Sequence, residues 1–191
     1  GNQTVTFTDG GVSDVTGNIS VTPSALASFT LASVPANVTA GAADDIEVTA
    51  FDTEGNVKTN YVGTITLTST DGSATLPACD FTGETDGIKN CNYTLRTTGN
   101  QTVTFTDGAV NVATANIMVD PAALGSFTFA SVPASIEAAT ADDIEVTAVD
   151  TEGNVKTDYT GTITLSSTDG SATLPACDFT GETDGIKLCN Y

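Results

Sequence analysis

The chain has no histidine, no tryptophan, one methionine and only five lysines and arginines in 191 residues. Without histidine it lacks the commonest general base and the commonest metal ligand. Against those five cations stand 24 acidic residues, for a formal net charge of −19. Such a charge repels nucleic acid and anionic membrane surfaces, both of which reward Lys and Arg. No stretch approaches the ~20 apolar residues of a membrane helix. No Gly-rich loop leads into a helical pattern, and paired carboxylates fall in turns or on polar strand faces. These absences point away from an enzyme, a cofactor, a nucleic-acid partner and membrane insertion. Gly1 is neither an initiator Met nor the start of a signal peptide. The chain is therefore expected to be a mature or trimmed piece.

Hydrophobic residues make up 39% of the chain, enough for a folded core despite the acidity. They alternate with polar ones. Val5 and Phe7 alternate with Thr4, Thr6 and Thr8, Ile46, Val48 and Ala50 with Glu47 and Thr49, and Ile65 and Leu67 with Thr64, Thr66 and Thr68. Period two with β-branched residues on the wet side predicts half-buried strands. Turn clusters such as Asp9-Gly10-Gly11, Asp71-Gly72 and Asp86-Gly87 separate them. No helical period is present, and the predicted class is all-β.

A repeat organises the chain. Gly1 through Gly10 return unchanged at Gly99 through Gly108, Asp44 through Ala50 return at Asp142 through Ala148, and Cys79 and Cys91 return at Cys177 and Cys189. The offset is 98 residues throughout, and residues 1–93 match 99–191 along their length. That period suits one whole immunoglobulin-type sandwich per repeat. In sandwich order, strand A is predicted near 27–34, B near 45–51, C near 63–70, D near 75–81, E near 88–96, F near 101–106 and G near 113–119. Residues 24–121 then form a complete domain. Residues 1–23 are strands F and G of a preceding repeat, and 122–191 are strands A to E of a following one. Short linkers at Pro23 and Pro121 should limit bending and give a rod.

Along its whole length, counting the second copy, the sequence resembles the immunoglobulin-like repeats of large bacterial and archaeal surface proteins. The resemblance rests on Ile46-Glu47-Val48-Thr49-Ala50-Phe51-Asp52-Thr53-Glu54-Gly55-Asn56-Val57, on Tyr61 to Ser69, and on Thr97-Thr98-Gly99-Asn100-Gln101-Thr102-Val103-Thr104-Phe105-Thr106-Asp107. It implies tandem β-sandwiches outside the cell, serving as spacers, stalks, surface-layer parts or filament subunits. Copies of the chain itself, head to tail, and other surface proteins are the implied partners. A cysteine pair in every repeat departs from the common pattern.

Neither flanking fragment should be stable alone, since a lone hairpin is marginal and an open sandwich exposes core and edge. Two readings follow. The chain is a window on a continuous array, which continuity of loops and strands favours, or one molecule donates its hairpin to the open half-domain of the next. The chain is five residues short of two periods, and the missing stretch corresponds to residues 94–98.

Cys79 and Cys91 lie symmetrically about Thr85, as do Cys177 and Cys189 about Thr183. That spacing would place each pair opposite in a hairpin, near disulfide range. Four cysteines allow three pairings, of which the local one fits best; buried free thiols are the alternative. Disulfides would imply an oxidising compartment, hence an extracellular, cell-surface setting. Asn2, Asn18, Asn37, Asn92 and Asn100 open Asn-x-Ser/Thr sequons, candidate glycan acceptors on a secreted protein. Composition alone yields about three such matches. Asp52, Glu54 and Asn56 present oxygens at alternate positions, a calcium candidate weighed against an ordinary polar B–C turn, which is favoured. Thr-x-Thr runs are good exposed strand sequence and only a slight pointer to ice binding. Nothing marks Lys58 or Lys89 for an isopeptide crosslink. The leading expectation is a rigid extracellular stalk or filament. The alternative is an adhesin module recognising a ligand through its end loops.

Overall fold

The computed structural model describes residues 1–191, and all of its regular structure is β. The first four strands, β1 (Asn2–Gln3), β2 (Thr6–Asp9), β3 (Val12–Val15) and β4 (Ile19–Ser20), form one broken hairpin: β1 pairs with β4 and β2 with β3. Its residues are almost all exposed, because no second sheet lies against it.

The middle of the chain supplies β5 (Leu26–Ala32), β6 (Asn37–Thr39), β7 (Ala43–Asp52), β8 (Thr64–Ser69), β9 (Cys79–Asp80) and β10 (Ile88–Thr94). It continues with β11 (Gly99–Gln101), β12 (Val103–Thr106), β13 (Asn111–Ala113) and β14 (Ile117–Asp120). One antiparallel sheet runs β5–β7–β10, the positions of A, B and E. The facing sheet runs β9–β8–β12–β13, with C and F at its centre. The second half of G, β14, pairs with β11 and takes β6 as a parallel neighbour. A first strand that splits and runs parallel to the last is how a Greek-key sandwich closes its edge.

Alternation decides which side chains meet between the sheets. Ile46, Val48 and Ala50 of β7, Ile65 and Leu67 of β8, Tyr93 of β10, Val103 and Phe105 of β12, and Ile117 and Val119 of β14 belong to one core cluster of 18 buried residues. Their polar neighbours stay outside, as period two requires. Tyr61 stacks edge-on between Phe29 and Phe81, with ring centroids 5.6 and 4.9 Å apart. Such pairs add about 0.5–1.5 kcal/mol beyond burial.

The predicted D strand needs correction. Only Thr75 bridges to Thr94 at the edge of the β5–β7–β10 sheet. Four residues later the chain is in the other sheet, where Cys79 pairs with Ile65. Pro77, which cannot donate to a ladder, stands at this switch between sheets.

The remaining strands are β15 (Leu124–Ala130), β16 (Asp143–Asp150), β17 (Thr162–Ile163), β18 (Cys177–Asp178) and β19 (Ile186–Asn190). They repeat the A–B–E sheet as β15–β16–β19 and leave only the β17–β18 pair opposite. Val146, Cys177, Phe179 and Cys189 are buried there, and Tyr159 again sits edge-on between Phe127 and Phe179.

Candidate inter-repeat interface

Asp150 is the last of the eight residues of β16 and falls on the same face as Val146 and Ala148, so alternation turns its carboxylate inward. It does not stay unpaired. Oδ1 accepts the backbone N–H groups of Glu152 (2.9 Å) and Asn154 (2.8 Å), folding the B–C loop around itself. Oδ2 accepts the N–H of Ala122 at 2.9 Å and the Asn154 amide at 3.0 Å. Lys156 Nζ donates to the carbonyl of the same Ala122 at 2.7 Å. The linker residue after Pro121 is thus held at both its donor and its acceptor by the loop it leads into. Burial by itself raises the Asp150 pKa, but the hydrogen bonds from Asn154, Ala122 and Glu152 outweigh it and hold the carboxyl below its ordinary value.

Every part of this clamp recurs one repeat earlier. Asp52 accepts the N–H groups of Ser24 (3.0 Å), Glu54 (3.0 Å) and Asn56 (2.8 Å), and Lys58 Nζ donates to the Ser24 carbonyl at 2.6 Å. Burial again acts to raise the Asp52 pKa, and the same set of bonds brings it below normal. The three residues singled out as a calcium candidate therefore have another part: Asp52 caps its own loop, and the Asn56 amide points back at it.

The second layer of the interface crosses from one repeat to the next. Arg96 Nη1 donates to Glu152 Oε2 at 2.6 Å, the Asn154 amide donates to the Arg96 carbonyl at 2.8 Å, and Thr98 N–H reaches Asn154 Oδ1 at 3.4 Å. Gly41, at φ 76°, leaves room for the Glu152 carboxylate; a Cβ there would stand 2.4 Å from Oε1. The loop bearing Arg96 is in turn built by Asp71. Its carboxylate is buried and accepts Arg96 N–H (2.6 Å), Thr97 N–H (3.0 Å), Ser73 N–H (2.9 Å) and the Thr97 hydroxyl (2.7 Å). Burial would raise its pKa, but these bonds hold it below normal.

Identical sequence makes the contact visible in burial. Glu54 and Asn56 are exposed, whereas Glu152 and Asn154, the same residues 98 positions on, are half-buried under the Arg96 loop. Sequence reasoning missed Arg96, Asp71 and Gly41. The Asp52 and Asp150 caps were within reach, because they continue the inward phase of Ile46-Val48-Ala50.

Cys79–Cys91 and Cys177–Cys189 each span 5.3 Å between Cα atoms. They are not rungs of a two-stranded hairpin, as the spacing about Thr85 implies. Cys79 is on β9, paired to β8, while Cys91 is on β10, paired to β7. The bond therefore staples one sheet of the sandwich to the other. Asn2, Asn18, Asn37, Asn92 and Asn100 are all exposed. Asn37 and Asn100 flank Met118 in adjacent strands, and the Asn37 amide donates to Asp120. A groove lies between the end of β5 and the β13–β14 stretch, lined by Leu31, Val34, Pro35, Val112 and Ala113 among others, none of them titratable.

The chain superposes on the Escherichia coli adhesin FdeC with a TM-score of 0.57 at 21% identity, covering 91% of this chain and 58% of that one. The fold is immunoglobulin-like. Two further immunoglobulin-like neighbours are the bacterial integrin-binding protein invasin (TM-score 0.49, 20% identity) and domains 4–9 of the surface layer protein SbsC (0.43, 18%). The match covers 100% of this chain and 40% of invasin, and 98% of this chain and 30% of the SbsC fragment. The chain thus spans less than two thirds of each. No family model matches the sequence, and no curated protein does. No helix is long and apolar enough to cross a membrane.

Proposed function

We propose that these immunoglobulin-like repeats are non-catalytic structural units of an extracellular, cell-surface stalk or filament, joined end to end with a fixed angle between neighbours. The observation that carries this is the clamp at Ala122. One linker residue is held by Asp150 and Lys156, while Arg96 and Asn154 lock the loops on either side of it. Individually these bonds are worth about 0.5–1.5 kcal/mol. Together they remove the freedom that a short linker leaves. A disulfide in each repeat suits an oxidising exterior. All five cations are engaged in structure: Lys58 and Lys156 on linker carbonyls, Arg96 across the junction, and Lys89 and Lys187 on Glu84 and Glu182. None is left to recruit nucleic acid.

The runner-up is an adhesin module, the class named for the FdeC neighbour. Against it, Thr53-Glu54-Gly55-Asn56 and Thr151-Glu152-Gly153-Asn154 are the same end loop in both copies. In one of them it is spent on the junction. A ligand-reading tip would be expected to differ from its spacer neighbours. Glycans on the exposed sequons belong to the same proposal, since they would shield Thr-rich strands from lateral pairing. Mass spectrometry of native material, with modified asparagines at none of the five sites, would remove that part. Spin labels on the middle repeat and on residues 143–150 test the whole. A single narrow distance distribution supports the rod, and a broad one spanning tens of ångströms contradicts it.

A further inference from the structure

The lysine that grips each linker is itself held from behind. In the C-terminal copy, Lys156 N–H donates to the Ala148 carbonyl and Ala148 N–H donates to the Gly185 carbonyl, both at 2.8 Å. Gly185, at φ 70°, lies so close that a Cβ there would stand 2.6 Å from the Lys156 carbonyl oxygen and 3.0 Å from Val155 Cγ1. Glycine alone meets both demands, the left-handed backbone and the close approach. Further along, Phe179 N–H donates to the Gly161 carbonyl at 3.0 Å, and the buried Phe179 ring packs edge-on against Tyr159. The loop between β18 and β19 thus grips the segment from Lys156 to Gly161 at both ends. The Lys156 side chain runs out of this cradle, only 15% exposed, to the Ala122 carbonyl and to Asp158.

That loop is closed at its base by Cys177–Cys189. Its two ends belong to different sheets, since Cys177 pairs with Ile163 and Cys189 with Ile144. No ladder joins β18 to β19, so the disulfide is the tie that keeps the ends of the loop together. The middle repeat has the same arrangement on the preceding linker. A Cβ on Gly87 would stand 2.7 Å from the Lys58 carbonyl oxygen, and Ala50 bridges Gly87 to Lys58 through bonds of 2.9 and 2.8 Å. Cys79–Cys91 closes that loop, and Lys58 Nζ reaches the Ser24 carbonyl. Both copies therefore join one disulfide, one glycine, one lysine and one linker.

We propose that each disulfide braces the linker clamp of its own repeat, so that the stiffness of a junction depends on the oxidation of the cysteines that follow it. This rests on the end-to-end reading above and adds its control. A dithiol supplies two electrons and two protons, the S–S bond breaks into two thiols, and the reductant closes to its own disulfide. With the tie gone, the loop regains the freedom of Gly181 and Gly185, both at positive φ. The wall behind Lys156 recedes, and Nζ loses its fixed approach to Ala122. Asp150 still holds Ala122 N–H, so the junction loosens without parting.

Spin labels carried on unnatural amino acids, one in the middle repeat and one within residues 143–150, leave the four cysteines untouched. Cys177→Ala/Cys189→Ala should widen the distance distribution by roughly twofold or more, and a dithiol should do the same to the wild-type chain. Cys79→Ala/Cys91→Ala should leave that width unchanged, because its loop braces Lys58 and the linker at Ser24. Lys156→Met should broaden the distribution by itself, and adding Cys177→Ala/Cys189→Ala should broaden it no further. Gly185→Ala keeps the bond but moves the wall. It should broaden the distribution of a fully oxidised chain, and it decides the matter where the cysteine variant unfolds residues 143–190. Unchanged width in Cys177→Ala/Cys189→Ala or in Gly185→Ala, equal broadening in both cysteine variants, or further broadening on top of Lys156→Met overturns the proposal. A broad distribution in the oxidised wild type contradicts the rod and the brace with it, whereas a narrow one that ignores the cysteines contradicts the brace alone.

Discussion

Arg96 and Glu152 are 56 residues apart in sequence, and their charged groups meet at 2.6 Å across the boundary between two copies of one repeat. Both side chains keep part of their surface in water. The pair therefore contributes at most about 1 kcal/mol, and its consequence is orientation. It fixes which loop of one sandwich faces which loop of the next, over a linker already held at Ala122.

Arg96→Ala should accordingly leave the stability of each sandwich within about 1 kcal/mol of wild type while widening the inter-repeat distance distribution. Gly41→Ala should widen it too, since the new methyl displaces the Glu152 carboxylate. Ala139, at the position equivalent to Gly41 and with φ 61°, indicates that the backbone tolerates the change. Pulsed electron paramagnetic resonance reads both variants. An unchanged distribution in both would remove these contacts from the account.

Asp71→Ala should act differently. It strips three backbone N–H groups and a hydroxyl of their acceptor in a buried place, which costs about 2–4 kcal/mol. It also releases the loop that presents Arg96. Urea unfolding of the middle sandwich and the inter-repeat distribution should both respond, and Asp71→Asn should recover part of the stability. A variant that unfolds like wild type contradicts the cap.

The pH profile follows from the same carboxylates. Asp52, Asp71, Asp80, Asp150 and Asp178 are held below their ordinary values by the hydrogen bonds they accept. A group depressed in the folded state stabilises above its unfolded pKa, about 3.9, and that stability is lost as pH falls through the folded value. Tyr61 and Tyr93 are pushed up by burial and by Asp107 and Asp44 respectively, so their contribution is present below about pH 10 and lost above it. Repulsion within a chain of net charge −19 opposes folding in between and is screened at about 0.5 M salt. At that salt, the urea midpoint should form a plateau from about pH 5 to 9 with losses on both sides. Stability that rises below pH ~4 would contradict this assignment of the aspartates.

Reduction of Cys79–Cys91, or its replacement by two alanines, removes a staple between sheets. The closed loop is short, with a separation of 12 residues. The expected loss is about 2–3 kcal/mol, or roughly 10–20 °C in the melting temperature of a domain of this size. Calorimetry with and without reductant measures it. A melt indifferent to reductant would mean the sheets hold without the bond.

Much of the fold is legible in the alternation of Ile46, Val48 and Ala50, of Ile65 and Leu67, and of Val103 and Phe105, because period two assigns each a face. The same alternation carries on to Asp52, where it stops being legible: a carboxylate near a Gly-Asn turn looks like solvent-facing loop. The cysteine spacing is symmetric about Thr85, but symmetry cannot reveal that the chain changes sheets at Pro77. The interface was hidden for a different reason. Arg96 and Gly41 lie on loops of one copy and Glu152 on a loop of the next, so no local pattern joins them. Only the contrast between exposed Glu54 and half-buried Glu152 brings the contact out, and that contrast exists in space alone.

With Ala122 clamped by Asp150 and Lys156, the repeats should form a linear assembly with a set angle at each junction. Electron microscopy of native material tests it most directly. The account predicts long thin fibres with an axial period of one or two domains, about 35–40 Å for each from the length of a ten-residue strand and its linker. Isolated, variously bent particles with no axial period would contradict it.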